Sequence, residues 1–269
     1  MSTYPIESSE RERDRLSSQA QILRPFTERL LRNAGAREGA SILDLGTGAG
    51  DVALLAAEVV GPKGRVVSID RDADHLAHAR KRAVDAGISH VTFVEGDIAA
   101  PPADNPFDLS IGRYVLMYQA DPVAAVRGVA RAIRPGGTIA FHELNMHEGA
   151  RGDMWPIPPQ GPGDAMQAFA PGLLKNVQSH MGVRLPEVFA SAGLDISDWG
   201  FEGAAPMSPL SARKEGMQRV LEVARNRRRL ITGQDDPALA AFEQWWRDAP
   251  AHAALLQPPA VLGWARKPA

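Results

Sequence analysis

The sequence predicts an α/β fold, and three observations predict it. Short apolar runs recur at about the spacing of βα units, with patterns of helical period between them. A carboxylate stands at or just past the end of three of those runs, at Asp44, Asp70 and Asp97. The first run, Ile42-Leu-Asp-Leu45, opens into glycines at alternate positions, Gly46, Gly48 and Gly50.

Each element has its own signal. Ser9 and Glu12 fit a capping box for an amphipathic helix to about Leu23, and Pro25 starts or kinks a second helix to Ala34. Strands near 41–45, 65–70, 91–95, 107–112 and 138–143 alternate with helices near 51–60, 73–86 and 122–133. Asp51 is the expected N-cap of the first of these helices, while Gly61-Pro62 and Gly87 end the first two. A further helix, about Leu185 to Ala192, stops before Gly193 and leads to a strand from Asp195 to Glu202; Ala260 to Arg266 is the final strand.

The glycine turn lets the backbone bend tightly and lets a ligand approach where a Cβ would obstruct it. A dinucleotide fingerprint would need Gly-x-Gly-x-x-Gly, but its third glycine position is Asp51 here, and a carboxylate at a helix N-terminus opposes docked phosphates. Asp44 beside the turn suits a cofactor with a cationic amino group. Asp70, at the end of the second strand, can accept both hydroxyls of a ribose. Asp97 can accept a hydrogen bond from an adenine amino group.

On these residues the chain resembles a class I S-adenosylmethionine-dependent methyltransferase of the group that modifies small molecules, over roughly residues 4 to 145. Asp44-Leu-Gly-Thr-Gly-Ala-Gly50 is similar to the first motif of that family, Asp70 to the acid ending its second strand, and Gly96-Asp97-Ile98 to its adenine motif. Phe107-Asp-Leu-Ser-Ile-Gly-Arg113 is similar to its fourth strand, and Ile133-Arg-Pro-Gly-Gly137 precedes the fifth. The resemblance implies a Rossmann-like seven-stranded mixed sheet, order 3-2-1-4-5-7-6 with the last strand antiparallel. It also implies S-adenosyl-L-methionine at the strands' C-terminal edge. The implied cofactor-binding set is Asp44, Gly46, Thr47, Gly48, Asp70, Arg71, Gly96, Asp97, Ile98, Gly112 and Arg113, with Tyr4 and Gln19 where related enzymes close over the cofactor.

The expected organisation is an N-terminal helical lid over 1–36, a cofactor-binding domain over 37–145 and 183–269, and cap insertions over 146–182 and 206–256. The first insertion is rich in Pro, Gly and Met and carries Trp155 and Phe169; the second has two helical patterns and Trp245-Trp246. Apolar, methionine-containing caps suit a small apolar or aromatic acceptor, although the same residues could fill a subsidiary core or a dimer interface. Tyr114, Met117, Tyr118 and Trp155 are the candidates for acceptor contact.

Composition narrows the chemistry. The formal net charge of −2 gives no electrostatic reason to expect nucleic acid or an anionic membrane as partner, and the basic run Arg225-Asn-Arg-Arg-Arg229 reads as a solvated helical face. The absence of cysteine rules out disulfides, a thiol nucleophile and cysteine-ligated iron–sulfur clusters, leaving polar rather than radical methyl transfer. The N-terminus has no basic-then-apolar signal pattern, so a cytoplasmic protein, monomer or homodimer, is expected. Arg over Lys and abundant Ala fit a bacterial chain of high genomic GC content, and tailoring in secondary metabolism is the associated expectation.

Methyl transfer from a sulfonium is an in-line displacement that proximity and water exclusion can drive, so a base is optional. If one acts, His142 or Glu143 at the end of strand five is placed for it, with His147 and His180 behind. No metal is expected, because His142-Glu143 and His147 lack the i, i+4 histidine spacing of a zinc helix. The expected activity is methylation of O, N or C of a small metabolite. The alternatives are a non-methylating protein that uses the same cofactor, as a cyclase or sensor, and an NAD-dependent oxidoreductase.

Overall fold

A computed structural model describes residues 10–103, 106–145, 177–204, 207–209, 254–256 and 260–269, with single residues 240, 244 and 247. A long helix comes first, α1 (Glu10–Asn33). Five strands and three helices follow: β1 (Ser41–Leu45), α2 (Asp51–Val60), β2 (Arg65–Asp70), α3 (Ala73–Asp85), β3 (Val91–Glu95), β4 (Phe107–Arg113), α4 (Pro122–Ala132) and β5 (Ile133–Leu144). Then come α5 (Met181–Ser191), β6 (Asp195–Ala204), two short strands, β7 (Met207–Pro209) and β8 (Ala254–Leu256), and β9 (Ala260–Arg266).

Seven strands form one sheet in the order β3-β2-β1-β4-β5-β9-β6. The first five run parallel, and β9 lies antiparallel between β5 and β6. This is the expected order, with β9 in the role of the seventh strand. Parallel strands are covered on both faces and so read as unbroken apolar runs. Here Ile42, Val66, Ile111, Ala140 and Leu262 face a layer of α1, α2 and α3. Leu43, Val67, Ile139, Phe141 and Val261 face α4 and α5.

Five elements differ from expectation, α5 among them, which begins at Met181 rather than near Leu185 and runs through Pro186. The N-terminal helix is continuous through Pro25; the residue removes one intrahelical donor without ending a helix whose buried Leu23, Leu30 and Leu31 hold it down. Asp51 is not the N-cap: Gly50 occupies that position at φ 90°, and Asp51 instead pairs with Arg82 at 2.9 Å. Strand β5 begins at Ile133 rather than 138, and its Arg134-Pro-Gly-Gly137 stretch lies at a register irregularity between the Phe107↔Ile133 and Leu109↔Thr138 pairs. Met207–Pro209 pairs antiparallel with Ala254–Leu256, a ribbon at the base of the second insertion that no alternation in the sequence announced.

Among the described residues no helix is long and apolar enough to cross a membrane.

Candidate active site

The site is built where β1 ends. Gly46 turns at φ 78°, and a Cβ there would stand 2.9 Å from a Val115 methyl, so a glycine is required for the turn to pass under the loop after β4. Gly50, at φ 90°, would place a Cβ 2.8 Å from that of Ala79 on α3. The turn is clipped to the end of β2: Gly46 N donates to Ile69 O at 2.9 Å and Gly48 N to Asp70 Oδ2 at 2.9 Å.

The three strand-end carboxylates differ in environment. Asp44 is fully buried; its Oδ2 accepts from the Ser68 hydroxyl at 2.6 Å, and Ser68 lies 2.7 Å from the Thr47 hydroxyl. Its Oδ1 is buried with no hydrogen-bond partner among the described residues. Burial pushes this carboxyl up to about 7, against the Ser68 hydrogen bond and the Arg113 charge. Asp70 accepts from Gly48 N and, through Oδ1, from Asp72 N at 3.0 Å, so it ties the glycine turn to the start of α3. For Asp97, burial acts upward, but the Ala99 N–H and the Arg71 guanidinium at 2.6 Å outweigh it and hold the carboxyl below its ordinary range. Gly96 N reaches Asp70 O at 2.9 Å, which joins the second and third carboxylate-bearing segments, and Ile98 is buried beneath them.

The other half of the edge comes from β4 and β5. Gly112 pairs with Leu45 across the sheet, and a Cβ on it would stand 2.7 Å from both Phe141 and Val115. Arg113 pairs in register with His142. Tyr114, next along, is the one described non-glycine residue at positive φ, 56°, a conformation that costs free energy unless its surroundings enforce it. A 3-10 turn over Leu116–Tyr118 follows. Glu143 enforces that turn: its Oε1 accepts from Val115 N at 2.9 Å and Leu116 N at 2.8 Å, and its Oε2 from Met117 N at 3.4 Å. Burial pushes Glu143 up to about 7, in opposition to those three N–H groups.

His142 is wholly buried under α1, its Nδ1 3.4 Å from the Thr27 hydroxyl and its Nε2 3.5 Å from the Tyr114 hydroxyl. Burial, and then the Arg113 charge, lower it to about 3. Neither predicted base is placed as a base would be. Glu143 spends both oxygens on backbone, and an imidazole this weakly basic is a poor proton acceptor at neutral pH.

The remaining candidates scatter. Met117 is core, buried with Phe141 and Phe189, whereas Tyr118 is half-buried against that cluster. His180 caps the start of α5 through its backbone, and its neighbour Gln178 donates its N–H to Met117 O at 2.7 Å. Gln19 is half-buried on α1. Tyr4, His147, Trp155, Phe169 and the Trp245-Trp246 pair lie outside the described residues. Two residues of the edge went unnamed in the sequence reading. Thr27 is the polar position in the buried series Leu23, Thr27, Leu30, Leu31, Ala34, and Ser68 breaks the apolar run of β2; a lone hydroxyl on an otherwise apolar face is the signal that could have found both.

A profile of the family described as "Methyltransferase domain" matches residues 36–179. Over 117 residues the chain is 34 % identical to the ubiquinone/menaquinone biosynthesis C-methyltransferase UbiE of Shewanella woodyi, a stretch covering 43 % of this chain and 47 % of that protein. The chain thus spans about half the length of the relatives it matches. Among solved structures, YcgJ from Bacillus subtilis gives a TM-score of 0.60 at 17 % identity, covering 90 % of this chain and 98 % of that one. The cyclase SpnF gives 0.55 at 24 % identity, with 91 % and 80 % covered. These two likenesses are of fold.

Proposed function

The chain belongs to the methyltransferase-domain family, and from that premise we propose that it transfers the methyl group of S-adenosylmethionine to carbon, oxygen or nitrogen of a small apolar or aromatic acceptor. The observation that carries the reading is the buried, partnerless Oδ1 of Asp44 beside a glycine turn that admits no Cβ, with Asp70 and Asp97 on the two neighbouring strand ends. A carboxylate for an ammonium group, one for a ribose and one for an adenine amino group fit the three polar parts of this cofactor in sequence order.

When bound, the cofactor supplies an electrophilic methyl on a sulfonium. The chain's own contribution is to bind and orient. Asp44 would hold the ammonium and Asp70 the ribose hydroxyls, while Asp97, which also pairs with Arg71, would accept from the adenine amino group. The backbone at Gly112 and Arg113 would border the methionine end. Glu143 keeps the turn after β4 rigid, so that the acceptor meets a fixed wall rather than a mobile loop. With no base placed at the edge among the described residues, proximity and exclusion of water are the catalytic devices.

The acceptor pocket belongs to the two insertions. Ala260 pairs with both Leu144 and Ala204, so the chain leaves the sheet for the two insertions from the ends of β5 and β6, which flank β9 on the C-terminal edge. That adjacency supports a shared cap of 146–182 and 206–256. An aromatic acceptor also agrees with the C-methyltransferase name of the Shewanella relative.

The test is transfer of isotope-labelled methyl from S-adenosylmethionine to a panel of phenols, quinols, amines and apolar enols, together with calorimetric titration of S-adenosylmethionine, S-adenosylhomocysteine and NAD. Labelled product is the expected result. Micromolar cofactor binding without turnover across the panel points instead to a cyclase or sensor on this fold, and binding of NAD alone overturns the reading.

A further inference from the structure

The glycine turn after β1 is held from two sides. Asp70 takes the Gly48 N–H from the β2 side at 2.9 Å. From the α3 side, Arg82 Nη1 donates to the carbonyl oxygen of Ala49, the next residue, and Arg82 Nη2 lies 2.9 Å from Asp51 Oδ1. A guanidinium can only donate, and a carbonyl or an ionised carboxylate can only accept, so the direction of both contacts is fixed. Ala79 stands one turn before Arg82 on the same face of α3, and it is the residue that excludes a Cβ at Gly50. Ala49, Gly50 and Asp51 thus meet α3 together, through a carbonyl, a bare Cα and a carboxylate. The Asp51 side chain is 15 % exposed and that of Arg82 30 %, so water screens the pair only in part.

Asp51 has a second guanidinium in its field. Burial disfavours the charge on Arg113, and Asp51 is foremost among the groups that oppose this, ahead of Tyr114 and Asp44. Around Asp44 burial favours the neutral acid; the Ser68 hydrogen bond and the Arg113 charge favour the carboxylate, while Asp70 and Asp51 oppose it. His75 is the titratable group packed behind Asp70, its Nδ1 3.9 Å from Asp70 Oδ2. Released from Arg82, the Asp51 carboxylate would be drawn to Arg113. It would then cancel a cation that helps Asp44 ionise, and a cofactor ammonium would meet a protonated acid. We propose that Arg82 is a positioning residue of the cofactor site: it fixes the glycine turn through the Ala49 carbonyl and holds the Asp51 carboxylate on α3, away from Arg113 and Asp44. Asp44 is left as the carboxylate that meets the ammonium. The proposal rests on the cofactor reading given above.

Calorimetric titration of S-adenosylhomocysteine from about pH 5.5 to 8.5 tests it, because binding through an ammonium follows the ionisation of Asp44. Arg82→Met removes both contacts and should weaken binding most at the acid end, moving the midpoint of the pH profile up by about half a unit or more. Arg82→Lys keeps the charge and should leave the midpoint close to that of the parent chain. Asp51→Asn should move it down, and adding Arg82→Met to Asp51→Asn should shift it little further. Loss of affinity by the same factor at every pH, the mark of a merely structural role, would overturn the proposal, as would equal profiles for Arg82→Met and the parent. A second measurement needs no cofactor, so it separates failure here from failure of the functional reading. In carbon-13 spectra of aspartate-labelled protein, the carboxyl resonance missing from Asp44→Asn should titrate at about 7 in the parent, higher in Arg82→Met and lower in Asp51→Asn. An Asp44 resonance that titrates alike in Arg82→Met and the parent overturns the proposal even where the cofactor binds. The expected shift in a chain that binds no S-adenosylhomocysteine upholds the hold of Arg82 on Asp51 and sinks the cofactor reading instead.

Discussion

In the role proposed for it, Asp44 sets function against stability within a single side chain. Its carboxyl titrates near 7 in the fold and near 3.9 in an unfolded chain. Between those values the folded chain holds a proton that the unfolded chain lacks, so stability falls as pH rises through the window, by about 1.4 kcal/mol per unit. Asp44→Asn keeps an acceptor for Ser68 and removes the charge. At pH 8 the cofactor-free variant should be more stable than the parent by about 2 to 4 kcal/mol in urea titrations, yet bind S-adenosylmethionine at least tenfold more weakly. The parent's affinity should rise between pH 6 and 7.5, because an ammonium favours the ionised carboxylate, and the variant's should not; parallel pH profiles by calorimetry would remove Asp44 from the site. Asp70→Ala removes the proposed ribose ligand together with the clip on Gly48, and its cofactor affinity should fall by about 1.5 to 3 kcal/mol. The three carboxylates were legible in the sequence because strand-end acids follow apolar runs. The task of Glu143 was not, since its partners are three backbone amides that leave no mark in residue identity.

Among the elements, α4 carries an unannounced constraint. A Cβ at Gly128 would lie 1.8 Å from the carbonyl oxygen of Ala99, in the segment that bears Asp97 and Ile98. Helix α4 therefore sits directly on the backbone ledge that carries Asp97, the proposed adenine ligand. Gly128→Ala must push the two apart; thermal unfolding should report a destabilisation of about 1 to 3 kcal/mol, and the displaced ledge should weaken cofactor binding while a control such as Ala124→Gly leaves affinity unchanged. Helices with strong periodicity and clear stops were readable in order, α3 and α4 nearly to the residue. Boundaries failed where tertiary contact overrules local chemistry. Pro25 does not end α1, Gly50 rather than Asp51 caps α2 because close approach to Ala79 excludes a side chain there, and the turn-like Arg134-Pro-Gly-Gly137 is drawn into β5.

For the whole molecule, the proposed division between sheet and cap can be cut at a defined place. The last pair of the β7–β8 ribbon is Pro209↔Ala254, so residues 210–253 can be replaced by Asn-Gly, a turn suited to a two-residue hairpin. The shortened chain should keep cooperative unfolding and cofactor affinity while losing acceptor methylation; retained turnover would show that the second insertion takes no part in the pocket. The ribbon itself could not be foreseen, because three-residue strands carry no usable alternation and one of these contains proline. Strand order, by contrast, came from family resemblance rather than from any local pattern. That order places β9, which follows every other strand in the chain, between two that precede it. Among the described residues, strand β9 is the only sheet partner of β6 and one of the two of β5, so the facing edges of those strands stay unpaired until Ala260–Arg266 is in place. Until then the nascent chain carries two open edges, and its dependence on chaperones should end only with the arrival of that last segment.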